Sequence, residues 1–147
     1  MYMLRSLIPF KLPFRDLLLI YTGYICPLVE YAVPVWHPGL TLYQTNQIEG
    51  IQKRALRLIM GSQYTSYDQA LNVTQLETLA NRRERLCLKF AQSLTKSPHF
   101  TEWIPRRPVN PDSRTLRKRS TYQPIRCRTE RYKQSPIPFL ITLLNKQ

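Results

Sequence analysis

Leu79-Ala80-Asn81-Arg82-Arg83-Glu84-Arg85-Leu86-Cys87-Leu88-Lys89-Phe90-Ala91-Gln92-Ser93-Leu94-Thr95-Lys96 is the stretch that sets the fold class. Leu79, Leu86, Cys87, Phe90 and Leu94 recur at the spacing of one helix face. Arg82, Arg85, Lys89 and Lys96 fall in a narrow band beside that face, running roughly 21 Å along the axis. Thr78 is placed to cap the start, although Asn81 stands where a capping box would have Glu or Gln. Ser97-Pro98 ends the helix. Arg83 breaks the pattern. It projects near the apolar stripe between Leu79 and Leu86, so it either snorkels or pairs with a buried acid such as Glu30 or Glu49.

Upstream, the pattern predicts a second long helix over Leu42–Met60. Thr41 can cap it, and Gly61 sits where the chain leaves through a left-handed turn. Ile48, Ile51, Ala55, Leu58 and Ile59 form its apolar stripe, and Lys53, Arg54 and Arg57 point the other way. Gly50, inside the helix, costs about 1 kcal/mol relative to Ala. A short helix or turn is expected around Tyr67–Val73. Further upstream, Leu17, Ile20, Tyr21, Tyr24, Leu28 and Tyr31 share a face of a helix over Phe14–Val33, widened by Leu18, Ile25 and Val29. Pro27 should kink that helix or end a first piece of it. Pro34 and Pro38-Gly39 close it.

Downstream, Pro98–Gln147 is different material. Residues 39–97 contain no proline, whereas all 12 prolines fall at 9–38 or 98–138. Ten Lys and Arg and two acids lie between Arg106 and Lys133. Ile125–Arg131 alternates in strand fashion and is expected to form a small hairpin with Leu116–Tyr122. Pro136 and Pro138 lead into a short apolar helix over Phe139–Leu144. The expected architecture is therefore mainly α. Residues 1–13 form a leader, residues 14–97 a cluster of three or four helices, and residues 98–147 a basic, irregular arm.

At 147 residues the chain can bury one modest core. It carries 22 Lys+Arg against 9 Asp+Glu, a net charge of +13. The excess is concentrated after residue 73, which points to a polyanionic partner such as nucleic acid or an anionic membrane surface. Cys26, Cys87 and Cys127 are too far apart for zinc spacing and read as reduced thiols of an intracellular compartment, nucleus or cytoplasm. No small-residue cleavage site follows the apolar N-terminus. Leu17–Trp36, the longest apolar window, is interrupted by Gly23, Pro27, Glu30 and Pro34 and makes a poor membrane span.

Catalytic patterns are missing. Asp16, Asp68 and Asp112 are isolated, so no Asp-Asp pair could hold the metals of a polymerase or nuclease. The four glycines form no phosphate loop. His37, in Trp36-His37-Pro38-Gly39, reads as a hydrogen-bonded turn histidine rather than a catalyst. Neither catalysis nor a cofactor is expected. What remains is basic surface. Lys53, Arg54 and Arg57, and Arg82, Arg85, Lys89 and Lys96, either track phosphates or form solvated faces. Arg117, Lys118, Arg119, Arg126, Arg128 and Arg131 give a stronger signal because their charge is one-sided. Tyr122 and Tyr132 lie among these arginines and either stack on unpaired bases or pack on the helices.

The segment Pro27-Leu28-Val29-Glu30-Tyr31-Ala32-Val33-Pro34-Val35-Trp36-His37-Pro38-Gly39-Leu40 resembles one that follows the palm of non-LTR, LINE-type retrotransposon reverse transcriptases. Ile48-Glu49-Gly50-Ile51-Gln52-Lys53-Arg54-Ala55-Leu56-Arg57-Leu58-Ile59 follows in the same order, then Leu76–Phe90 with Thr78-Leu79, Arg82-Arg83 and Leu86-Cys87. Arg126-Cys127-Arg128-Thr129 through Ser135-Pro136-Ile137-Pro138-Phe139 to Asn145 resembles the end of such a reading frame. The resemblance covers roughly residues 14–147. It implies the thumb and the region after it, which grip a template–primer duplex. The family's Tyr/Phe-x-Asp-Asp palm motif does not occur in this sequence, so no catalytic residue carries over. Lys53, Arg54 and Arg57 match the family pattern and take its nucleic-acid-facing role.

The leading expectation is non-catalytic binding of an RNA or DNA duplex or single strand through phosphate contacts. The alternatives are a basic module that meets an acidic protein and a membrane-associated small protein. Apolar surface left by a missing palm should promote self-association.

Overall fold

The computed structural model describes residues 2–108 and 120–146. It is mainly α, as the periodicity requires. Nine helices are described: α1 Tyr2–Leu7, α2 Phe14–Ile20, α3 Cys26–Glu30, α4 Val33–Trp36, α5 Leu42–Met60, α6 Tyr67–Thr74, α7 Leu79–Lys96, α8 Glu130–Lys133 and α9 Pro136–Asn145. They divide into two compact units. The first contains Met1–Ala32 and Leu40–Arg83, and the second Val33–Gly39 and Glu84–Gln147.

This division departs from a boundary at residue 97. α7 is continuous, yet its first turn belongs to one unit and its remainder to the other. Local sequence marks where a helix stops, not which core each of its turns enters. Residues 1–13 group with the first unit. Leu4 of α1 is 1% exposed and packs with Leu17, Tyr21, Ile25, Ala55 and Ile59.

α5 and α7 begin and end at the residues their caps indicate. Thr41 forms a complete capping box: its hydroxyl accepts from the Gln44 amide at 3.2 Å, and the Gln44 side chain accepts from the Thr41 amide at 2.9 Å. Gly61 leaves α5 at φ 53° and ψ −121°, outside the left-handed helical region but at a positive φ that glycine adopts without a Cβ clash. Thr78 caps α7 by accepting from the Asn81 amide at 3.2 Å.

The helix expected over Phe14–Val33 is broken in a specific way. Between α2 and α3 the chain makes one π turn, Tyr21–Ile25, in which the Cys26 amide donates to the Tyr21 carbonyl. Pro27 follows in the first turn of α3, where a missing amide costs no helical hydrogen bond. The π turn holds extra chain and shifts the phase of everything after it. Leu17 and Tyr21 are therefore buried as expected, but the buried face continues through Ile25 and Cys26. Tyr24, Leu28 and Tyr31, assigned to the buried stripe by simple periodicity, are 67%, 79% and 82% exposed.

In the second unit, Leu140, Ile141, Leu143 and Leu144 of α9 pack with Val33, Cys87, Ala91, Leu94 and Ile104. α9 starts at Pro136, three residues earlier than expected, because Pro136 and Pro138 occupy a first turn that needs no amide donors. The expected hairpin does not form on its Ile125–Arg131 side, and Leu116 lies outside the described residues. Tyr122 instead makes an isolated antiparallel bridge to Arg106, with Arg107 N–Thr121 O at 3.1 Å and Gln123 N–Pro105 O at 2.9 Å. The Asn145 amide competes with any hairpin partner. Its Oδ1 accepts from Tyr122 N at 3.0 Å and its Nδ2 donates to Tyr122 O at 3.1 Å. Pro124, lacking an amide hydrogen, could not extend a ladder either.

Candidate functional site

The first unit gathers basic side chains along α5. Gln52, Ala55, Leu56, Ile59 and Met60 are its buried residues, which turns Lys53, Arg54 and Arg57 outward. Lys53 Nζ stands 5.0 Å from the Tyr67 ring centroid, and the Arg57 guanidinium 5.3 Å from that of Tyr64. Such contacts fix a cation at an exposed site for about 0.5–1 kcal/mol. Arg54 Nε donates to the Gly50 carbonyl at 3.2 Å. Two hollows flank these residues. One, of about 640 Å³, runs over Ile48, Gly50 and Ile51 beside Lys53, Arg54 and Arg57. The other, of about 340 Å³, is lined by Arg5, Arg54, Arg57 and Leu58.

Arg5 is absent from the sequence-derived set, since residues 1–13 read there as a leader. The available signal was the spacing of Leu4, Leu7 and Ile8, which marks a packed helix and fixes Arg5 at its surface. Tyr64 and Tyr67, the partners of Arg57 and Lys53, were also missed. Tyr67 lies on α6, which packs on α5, and Tyr64 on the short connection before α6, so neither shares a helix with its cation.

Polar wiring behind the basic face sets its geometry. Glu49 reaches from α5 to the start of α7, where its carboxylate accepts from the amides of Leu79 at 3.1 Å and Ala80 at 3.2 Å. An acid at this position satisfies two orphan donors and complements the positive end of the helix dipole. The Tyr67 hydroxyl donates to the same carboxylate. Burial, and then this bond, push the Tyr67 phenol above its ordinary value. Gln52, which is buried, donates through Nε2 to the Glu77 carbonyl at 3.0 Å.

Arg82 departs from the expected phosphate-tracking band. It pairs with Glu30, and the hydrogen bond to that carboxylate raises its already high pKa. The Glu30 carboxylate offsets part of the charge that this guanidinium can present to a phosphate. Glu30 thus serves Arg82, whereas the sequence suggested it for Arg83. Arg83 itself is fully buried. Nearby, burial pushes the Tyr21 phenol and the Cys26 thiol up.

The remaining basic residues of the expected site belong to the second unit. Arg85, Lys89 and Lys96 are exposed along one face of α7. Arg126, Arg128 and Arg131 are exposed on the irregular chain and α8. Arg117, Lys118 and Arg119 lie outside the described residues. Tyr122 packs against the core of its unit, while Tyr132 is half exposed. His37 forms an edge-on ring contact with Phe139 at 5.6 Å, a packing role within the second unit.

Among the described residues no group of three or more His, Cys, Asp or Glu side chains is arranged to hold a metal ion. No single described helix is long and apolar enough to cross a membrane, and Phe14–Glu30 and Val33–Gly39 pass that test only as a pair. Comparison with known proteins finds no matching family model, no matching curated protein and no matching solved structure.

Proposed function

We propose that this chain is the thumb and post-thumb region of a non-LTR retrotransposon reverse transcriptase, and that it binds a template–primer duplex without catalysing a reaction of its own. The observation that carries this reading is the row of Arg5, Lys53, Arg54 and Arg57 beside hollows floored by Ile48, Gly50, Ile51 and Leu58. Cations steadied by Tyr64 and Tyr67 can follow a phosphate backbone with little loss of side-chain entropy, and each phosphate neutralised releases condensed counterions. The order of the resembling segments supports the family assignment. The absence of an Asp-Asp pair from the sequence supports a binding role.

Fluorescence anisotropy with an RNA–DNA heteroduplex over a range of salt tests the reading. Affinity should fall steeply as salt rises. Replacing Lys53 and Arg57 together by Gln should flatten the plot of log K against log salt by about 2, close to one unit per lost phosphate contact. An unchanged slope would remove the α5 face from the interface. Polyglutamate binding as tightly as the heteroduplex would favour an acidic protein partner instead. The exposed side chains of Tyr24, Leu28 and Tyr31 suit contact with a neighbouring domain. The chain on its own should therefore self-associate, and a single monomeric species in sedimentation would contradict this.

A further inference from the structure

The second unit contains a cavity of about 550 Å³, within the usual range of roughly 300–1,000 Å³ for small-molecule sites. Pro124, Ile125, Pro138 and Ile141 give it apolar walls, and Lys133 and Lys146 give it two cations. We propose that this cavity binds a nucleoside monophosphate unit, either free or as an unpaired residue of a strand.

Three features select that chemistry. Proline and isoleucine walls accept a flat heteroaromatic ring, and the two lysines suit its phosphate. Glu130, also in the lining, is an acceptor that a ligand donor can engage. A base offers one in an exocyclic amine or a ring N–H, whereas the chain of a fatty acid offers none. Glu130 meets Lys133 at 3.5 Å, but both side chains are mostly exposed, so the pair is weak and readily exchanged for a ligand. Asn145 supplies the third feature. Its two bonds to Tyr122 hold the amide rigid, and its oxygen keeps a further lone pair and its nitrogen a further hydrogen for a base edge. The site lies wholly in the second unit and does not depend on the α5 face.

The cavity has a built-in reporter. Cys127 lines it and is only partly buried, while Cys26 and Cys87 are buried. The test follows N-ethylmaleimide modification of Cys127 in the full chain by peptide mass spectrometry. The additives are nucleoside 5′-monophosphates, a six-nucleotide single strand, inorganic phosphate or decanoate. At a ligand concentration about ten times Kd, about a tenth of the sites are empty, so modification should slow about tenfold. Inorganic phosphate and decanoate should leave the rate unchanged. Thr142→Trp, which fills the cavity from the exposed side of α9, should abolish protection, and Lys146→Gln should weaken it. Protection by mononucleotides identifies a free ligand as sufficient, and protection by the strand alone identifies an unpaired residue. The proposal is overturned if neither nucleotide form protects, if phosphate or decanoate protects equally, or if Lys146→Gln and Thr142→Trp both retain full protection.

Discussion

The two units solve the same problem with different materials. The first buries its apolar side chains under polar wiring that joins distant parts of the chain: Glu49 to the start of α7, Tyr67 to Glu49, Gln52 to Glu77, and Arg82 to Glu30. The second relies on α9, whose Leu140, Ile141, Leu143 and Leu144 fill its core, and on the Asn145 clamp to Tyr122. The difference teaches that charged and polar side chains can be kept near a core when distant parts of the chain supply directed partners. It also suggests why the firmest basic face belongs to the first unit. There Arg57 is seated against Tyr64, and Lys53 against Tyr67, whose hydroxyl is tied to Glu49.

Five substitutions sharpen or break this contrast. Leu140→Ala should have the largest effect, costing the second unit about 3 kcal/mol or more through lost burial and a cavity. Hydrogen exchange should show the loss in the α9 amides first. Equal loss in the α2 and α5 amides would mean the two units do not unfold separately.

Glu49→Ala comes next. It strands the amides of Leu79 and Ala80 and the Tyr67 hydroxyl, at a cost of about 2–3 kcal/mol to the first unit, read by urea denaturation. The same wiring gives the first unit an alkaline limit. The Tyr21 and Tyr67 phenols are both raised from 10.0, so the folded state favours their neutral forms. Their contribution to stability is complete below pH 10 and is lost as pH rises beyond it toward their folded values. A spectrophotometric titration should show phenolate forming together with unfolding above that point, and Tyr67→Phe should lessen the loss. Titration of all nine tyrosines near pH 10 with no change in circular dichroism would show that the first unit does not resist ionisation.

Asn145→Ala should cost the second unit about 1–2 kcal/mol, since the amide and carbonyl of Tyr122 lose their partners. Faster exchange of the Tyr122 amide is the direct readout. Gly50→Ala should have the smallest effect and the opposite sign. A methyl group there meets nothing within 4 Å, so α5 should gain about 0.5–1 kcal/mol in a thermal melt. A loss of stability would show that the groove above Gly50 is tighter than its surroundings indicate.

The sequence by itself determined the mainly α class and the limits of α5 and α7. A helix's stripe, its cap and its terminating glycine or proline all lie within a few residues of one another, so Thr41, Gly61, Thr78 and Ser97-Pro98 could be read directly. It also determined that Lys53, Arg54 and Arg57 share an exposed face, because one helical turn fixes that. Tertiary structure alone decided the rest. The π turn at Tyr21–Ile25 changed which residues of the first long segment are buried, and a fixed period cannot register a single enlarged turn. Glu30 found Arg82, and Glu49 found α7, across intervals of chain that no local pattern spans. Asn145 claimed the backbone of Tyr122 from 23 residues away. In each case a buried polar group or a proline had to be satisfied in three dimensions, and the nearest adequate partner was distant in the sequence.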